Sequence, residues 1–147
     1  MNTIANALGR LESALGRRAD FGHATNRSVT TLGDGLHCTT EEGQWAIDTD
    51  LPESLGGTGA APTPGVLVRA ALGSCLAMNY RLRAAKHGVE LTSIRVTVDA
   101  DSAIAGMLLC DTTTPPGYTE LRYHVEVDSP AAPADVVRIL DEGDRLS

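Results

Sequence analysis

Three thiols carry most of the chemistry open to this sequence: Cys38, Cys75 and Cys110. An odd number cannot pair fully within one chain, and no C-x-x-C occurs, so neither a disulfide scaffold nor a zinc knuckle is indicated. The reactive form of a free cysteine is the thiolate. An ordinary thiol ionises near ~8.5, and apolar burial raises that value, so a reactive cysteine needs a cation or a helix N-terminus beside it. Cys75 lies in the apolar run Ala70-Ala71-Leu72-Gly73-Ser74-Cys75-Leu76-Ala77. There it is either a reactive thiol or a small core residue, because free cysteine is among the most buried residue types. Cys38 and Cys110 have no motif around them and read as structural or incidental.

Other reactive groups give weaker signals. His23, His37, His87 and His124 show neither H-x-x-x-H nor H-E-x-x-H spacing, so no metal is expected. His124 falls on the polar side of a strand pattern. His87 falls near a helix C-terminus, where a cation is favourable. G-x-S-x-G is absent, which argues against a serine hydrolase. Gly56-Gly57-Thr58-Gly59 lacks the G-K-[ST] ending of a phosphate loop, and Pro62 and Pro64 follow it, so it reads as a connecting loop.

The elements that must position these groups are legible in the spacing. Ile4, Leu8, Leu11 and Leu15 recur at helical intervals and predict an amphipathic helix over residues 1–18. Short strands are expected over 27–31, 36–40 and 44–49. Glu41-Glu42-Gly43 forms the second turn, and Trp45 and Ile47 share a buried face. Pro64 suits a first helical turn and Gly88 a C-terminal cap, predicting a long helix over 64–87. Its first half is apolar almost all round, which predicts burial on every side. One small domain struggles to supply that cover, and a second subunit would.

Ile94, Val96, Val98 and Ala100 alternate with Arg95, Thr97 and Asp99. Leu121, Tyr123, Val125 and Val127 alternate with Glu120, Arg122, His124 and Glu126. Each set reads as a half-buried antiparallel strand, with a turn at Pro115-Pro116-Gly117 between them. A last helix starts at Pro133, and the chain is expected to stop in or just after it. Helices and segregated antiparallel strands make an α+β fold.

Composition bounds the function. The chain has 147 residues, which is a prior for one domain over 1–147. Its 12 basic and 19 acidic residues give a net charge of −7. Acidity and 3% aromatic content argue against nucleic-acid binding. The longest uncharged apolar stretch, between Arg69 and Arg81, is far short of the ~20 residues that span a bilayer. The N-terminus lacks the basic and apolar regions of a signal peptide. A cytoplasmic protein with reduced thiols is the expectation.

Ala61-Pro62-Thr63-Pro64, followed by Ala70-Ala71-Leu72-Gly73-Ser74-Cys75-Leu76-Ala77, resembles the OsmC/Ohr family. Arg83-Ala84-Ala85-Lys86-His87-Gly88-Val89, the strand Ile94-Arg95-Val96-Thr97-Val98 and Pro115-Pro116-Gly117-Tyr118-Thr119 extend the likeness. The resemblance implies an intertwined homodimer, with long central helices enclosed by antiparallel sheets from both subunits and a site at the interface. It also implies a thiol peroxidase acting on organic hydroperoxides without a cofactor, in oxidative-stress defence.

Cys75 matches the family's peroxidatic position. The family's supporting glutamate would fall at Gly65 or Val66, neither of which is charged. Its resolving cysteine would fall near Ser147. Its activating arginine comes from an early strand, where Arg27 is the nearby candidate, supplied from a partner subunit. A one-cysteine cycle cleared by an external thiol is therefore expected, with Cys38 or Cys110 as resolver only if the fold brings one to Cys75. The alternative is a catalytically degenerate dimer that binds a small hydrophobic ligand at its interface.

Overall fold

A computed structural model describes residues 2–18, 21–108, 110 and 112–145. The order is α1 (Asn2–Arg17), β1 (Val29–Leu32), β2 (Cys38–Glu42), β3 (Trp45–Thr49), α2 (Pro64–His87), β4 (Ser93–Ser102), α3 (Ile104–Met107), β5 (Tyr118–Asp128) and α4 (Pro133–Arg145). α3 is a single turn that the sequence pattern did not announce. The chain divides into two compact units. One comprises residues 1–18 and 69–147, the other 19–68.

The smaller unit is a three-stranded antiparallel sheet in the order β1-β2-β3, followed by a folded loop. All three strands lie one or two residues later than the spacing suggested at their starts. Glu42 belongs to β2, and Gly43 takes the left-handed φ of 58° that the tight turn needs. Trp45 and Ile47 do share a face, because both alternate with Ala46. Within the chain, however, they are 69% and 48% exposed. Alternation correctly identified the face, but nothing in the unit covers it.

The loop over 51–62 closes on itself. Asp50 N donates to Pro62 O at 3.2 Å, Gly59 N to Leu51 O at 3.0 Å and Gly57 N to Pro52 O at 3.2 Å. The chain passes so tightly at Gly57 that a methyl there would sit 1.9 Å from Leu51 O. Gly57→Ala is therefore expected to destabilise this unit by about 1–3 kcal/mol through overpacking. A lowered urea midpoint, followed by Trp45 fluorescence, checks it; an unchanged midpoint contradicts it.

In the larger unit, β4 and β5 pair antiparallel from Ser93↔Asp128 to Asp101↔Glu120, with a register shift at Asp101/Ser102. The outward face is a ladder of charges. Arg122 reaches both Asp101 and Glu120 at 2.6 Å, and Arg95 reaches Glu126 at 3.5 Å. The inward face packs on α2. A methyl at Gly73 would lie 3.5 Å from Val98 Cγ2, so the missing side chain lets helix and strand approach. The core joins Ala84, Val89, Leu91 and Ile139, with Ile94, Val127, Ala131 and Val136 packed around them.

α2 ends where Gly88 takes φ 68° and Val89 N bonds Ala84 O at 2.9 Å. Its burial is one-sided. Leu76, Tyr80 and Ala84 are buried, but Met78 and Leu82, turned to the other side, are 65% and 42% exposed. The expectation of a helix buried on every side thus fails within a single chain. Its apolar residues encircle the helix, while the strands and α4 cover only one face.

Candidate functional site

Cys75 sits near the middle of α2. Two residues after Gly73, it is turned about 200° around the helix, away from β4. It is exposed. Ala71, Cys75, Met78 and Leu82 fall at alternating intervals of four and three and form one seam along the open side of α2. All four are exposed. The thiol therefore lies in an uncovered apolar stripe rather than in the core of the chain.

Beside the seam runs a shallow groove of about 420 Å³, lined by Ile4, Ala77, Met78, Arg81, Leu82 and Ile94. α1 reaches it through Ile4, and Lys86 Nζ bonds Glu12 Oε1 at 2.6 Å farther along. Most cations near this stretch of α2 are already engaged. Arg81 Nη1 donates to Leu91 O, Arg83 to Glu142 and Lys86 to Glu12. Arg69, half-buried on α2, makes no ion pair among the described residues. It is six positions from Cys75 and points to a different side of the helix.

The other expected positions fall as follows. Gly65 and Val66 occupy the first turn of α2, with no carboxylate there. Arg27 is exposed, two residues before β1, in the smaller unit. Ser147 lies outside the described residues. Cys38 opens β2, opposite Thr49. Cys110 is exposed, its thiol 3.8 Å from Leu108 O. Among the described residues no group of three or more His, Cys, Asp and Glu side chains is placed to hold a metal ion.

Two polar constellations went unread in the sequence. The first explains the glycine-rich loop. Asp50, 1% exposed, accepts Thr58 N at 3.1 Å, Thr58 Oγ1 at 2.5 Å, Ala60 N at 3.3 Å and Leu51 N at 2.8 Å. These donors cradle the chain's own carboxylate, so the loop is organised as an anion site with its anion built in. The Thr58 hydroxyl is the largest cause holding Asp50 at about 2, against the ordinary 3.8; the backbone donors add to it and burial opposes it.

The sign follows from this depression. Asp50 contributes stability above pH 3.8, and that contribution is lost as pH falls towards 2. Acid unfolding followed by Trp45 fluorescence should therefore steepen between those values. Asp50→Asn should be less stable at neutral pH and lose that component. An identical acid profile in the variant contradicts this.

The second constellation joins α2 to α4. Tyr80 is fully buried and its hydroxyl donates to Asp144 Oδ1 at 2.5 Å. Burial, then Asp144, pushes the Tyr80 hydroxyl far above the usual phenol range. Asn79 Nδ2 donates to Gly143 O at 3.0 Å. Arg83 and His87 both reach Glu142, at 3.2 and 2.9 Å. A sequence sign did exist, since Asn79, Tyr80, Arg83 and His87 share one side of α2.

Comparisons with known proteins agree with this architecture. A family profile described as OsmC-like protein matches residues 57–147. No curated protein matches the chain. Among solved structures, an OsmC-like protein from Mycoplasma pneumoniae superposes with a TM-score of 0.70 at 17% identity, covering 83% of this chain and 82% of the other. An organic hydroperoxide resistance protein OsmC from Legionella pneumophila gives 0.58 at 19% identity, covering 84% of each chain. The organic hydroperoxide resistance protein OhrB of Bacillus subtilis gives 0.53 at 13% identity, over 84% and 85%. At these identities the likeness establishes the fold. No helix among the described residues is long and apolar enough to cross a membrane.

Proposed function

Because the chain belongs to the OsmC-like protein family, we propose that it is a cytoplasmic, thiol-dependent peroxidase that reduces organic hydroperoxides through Cys75. The observation that carries this reading is the exposed Cys75 thiol in mid-helix, at the position of the family's Ala-Leu-Gly-Ser-Cys run. In the first step the Cys75 thiolate attacks the distal peroxide oxygen. The O–O bond breaks, the sulfur is oxidised to a sulfenic acid, and the alkoxide leaves as alcohol after taking a proton.

Ser147 stands near the position of the family's resolving cysteine. The cycle is accordingly written with an external thiol. One thiol condenses with the sulfenic acid to a mixed disulfide and releases water. A second thiol displaces Cys75 and leaves as an external disulfide. Arg27 of a second subunit is assigned to support the thiolate.

A second copy also accounts for the uncovered apolar surface. The Ala71–Cys75–Met78–Leu82 seam is open, as are Leu121 at 46% and Tyr123 at 44% on the inward side of β5. A homodimer that closes this seam would put Cys75 in an interfacial cleft and remove water from its surroundings. Consumption of an organic hydroperoxide, coupled to oxidation of a small dithiol, tests the activity. Turnover supports the reading, and a rate equal to the protein-free background rejects it.

The missing carboxylate at Gly65 and Val66, together with the apolar groove at Ile4, Met78 and Leu82, supports one alternative: a dimer that binds a small hydrophobic ligand without turnover. The pH dependence of Cys75 alkylation separates the two. A thiol ionising well below the ordinary range favours the peroxidase, and a raised one favours the binder.

A further inference from the structure

The two halves of α4 are held by different physics. Its first half is anchored by apolar contact: Ile139 is fully buried and Val136 packs on the same cluster. Its last turns meet α2 across a polar seam. Glu142 receives Arg83 on one carboxylate oxygen at 3.2 Å and His87 on the other at 2.9 Å. Gly143 O receives Asn79 at 3.0 Å, and Asp144 receives Tyr80 at 2.5 Å. Arg83 Nε also bonds Asn79 Oδ1 at 3.3 Å, so one side-chain network spans the seam.

We propose that this seam is a pH-sensitive latch in which His87, closing on Glu142, controls how firmly the last turns of α4 are held to α2. Histidine is the side chain that changes charge between about pH 5 and 8. Charged, His87 gives Glu142 a second cationic partner, at the negative end of the α2 dipole. Neutral, it can still donate a hydrogen bond, but among the described residues Arg83 is then the one cation on Glu142.

The other groups around the seam do not reverse this. Arg83 stays charged, and Lys86 is held by Glu12 of α1. Tyr80 keeps its proton because burial and Asp144 raise it. Tyr123 of β5, which also faces Asp144 and Tyr80, is raised for the same reasons. At Glu142 burial raises the carboxyl, but His87 and Arg83 together outweigh it and hold it below its usual value. Glu142 therefore remains ionised through the range in which an imidazole side chain changes charge. The latch is closed in weak acid, from below the ordinary carboxyl range of about 4.5 upward, and loosens as pH rises through the imidazole range.

Amide hydrogen exchange on the full-length protein tests this, with each rate normalised to the unstructured chain at the same pH. Between pH 5.8 and 8.0, amides of residues 141–145 should exchange about three- to tenfold faster at the higher pH, the scale of a partly exposed ion pair. Amides of residues 136–140 should not change. In His87→Gln, which keeps a polar side chain without the charge, the step should vanish. Equal normalised exchange at both pH values in the wild type would overturn the latch. So would a step that survives in His87→Gln.

Discussion

Replacing Cys75 by serine is expected to bring organic hydroperoxide consumption down to the uncatalysed background, a loss of about a thousandfold or more. The argument is chemical. Serine has nearly the same shape, but its hydroxyl is not ionised at neutral pH and its oxygen cannot be oxidised to a sulfenate equivalent. Cys75 is exposed within the chain, so the exchange should leave the fold intact, within about 0.5 kcal/mol for a surface site. Cys38→Ser and Cys110→Ser serve as controls. Cys38 opens a strand and Cys110 sits on a surface turn, so each variant should keep most of the wild-type rate. Wild type and Cys75→Ser consuming peroxide at the same rate would remove the peroxidase reading.

The largest expected effect on stability is at Tyr80. Its ring is fully enclosed, and a methyl added at Gly143 would come within 2.6 Å of it, so α4 approaches α2 closely against the ring. Tyr80→Ala deletes that packing and takes the Tyr80 phenol from Asp144. A cost of about 3–5 kcal/mol is expected. Tyr80→Phe keeps the ring and removes only the hydroxyl, at about 1–2 kcal/mol. Urea unfolding at one fixed protein concentration measures both, since association adds to apparent stability. Equal losses in the two variants would show that the hydrogen bond, not the ring, holds the seam.

Much of this architecture was legible because local physics wrote it. Pro64 lacks an amide hydrogen and fits a first turn, and Gly88 accepts the left-handed conformation that ends α2. Strict alternation from Ile94 to Ala100 and from Leu121 to Val127 marked β4 and β5 and their inward sides. Covering is different, because it depends on a partner surface. The alternation at Trp45 and Ile47 and the apolar girth of α2 recorded faces that want burial, not what buries them.

The polar networks were illegible for a related reason. Asp50 reads as an ordinary loop acid until the chain turns back at Thr58 and Ala60 to present its donors. Glu142 lies 59 residues after Arg83, and only the packing of α4 on α2 makes them neighbours. The candidate site shows the same division. The sequence run around Cys75 marked the thiol, whereas its exposure on the open side of α2 follows from where Gly73 meets Val98.

The most direct test of the central claim is where the first oxidation lands. The protein, fully reduced, is treated with less than one equivalent of an organic hydroperoxide in the presence of a sulfenic-acid trap, and the adduct is mapped by peptide mass spectrometry. The trap should be found on Cys75, with little on Cys38 or Cys110. An adduct on either of those residues, or none while the thiols remain reduced, would contradict Cys75 as the peroxide-reducing group.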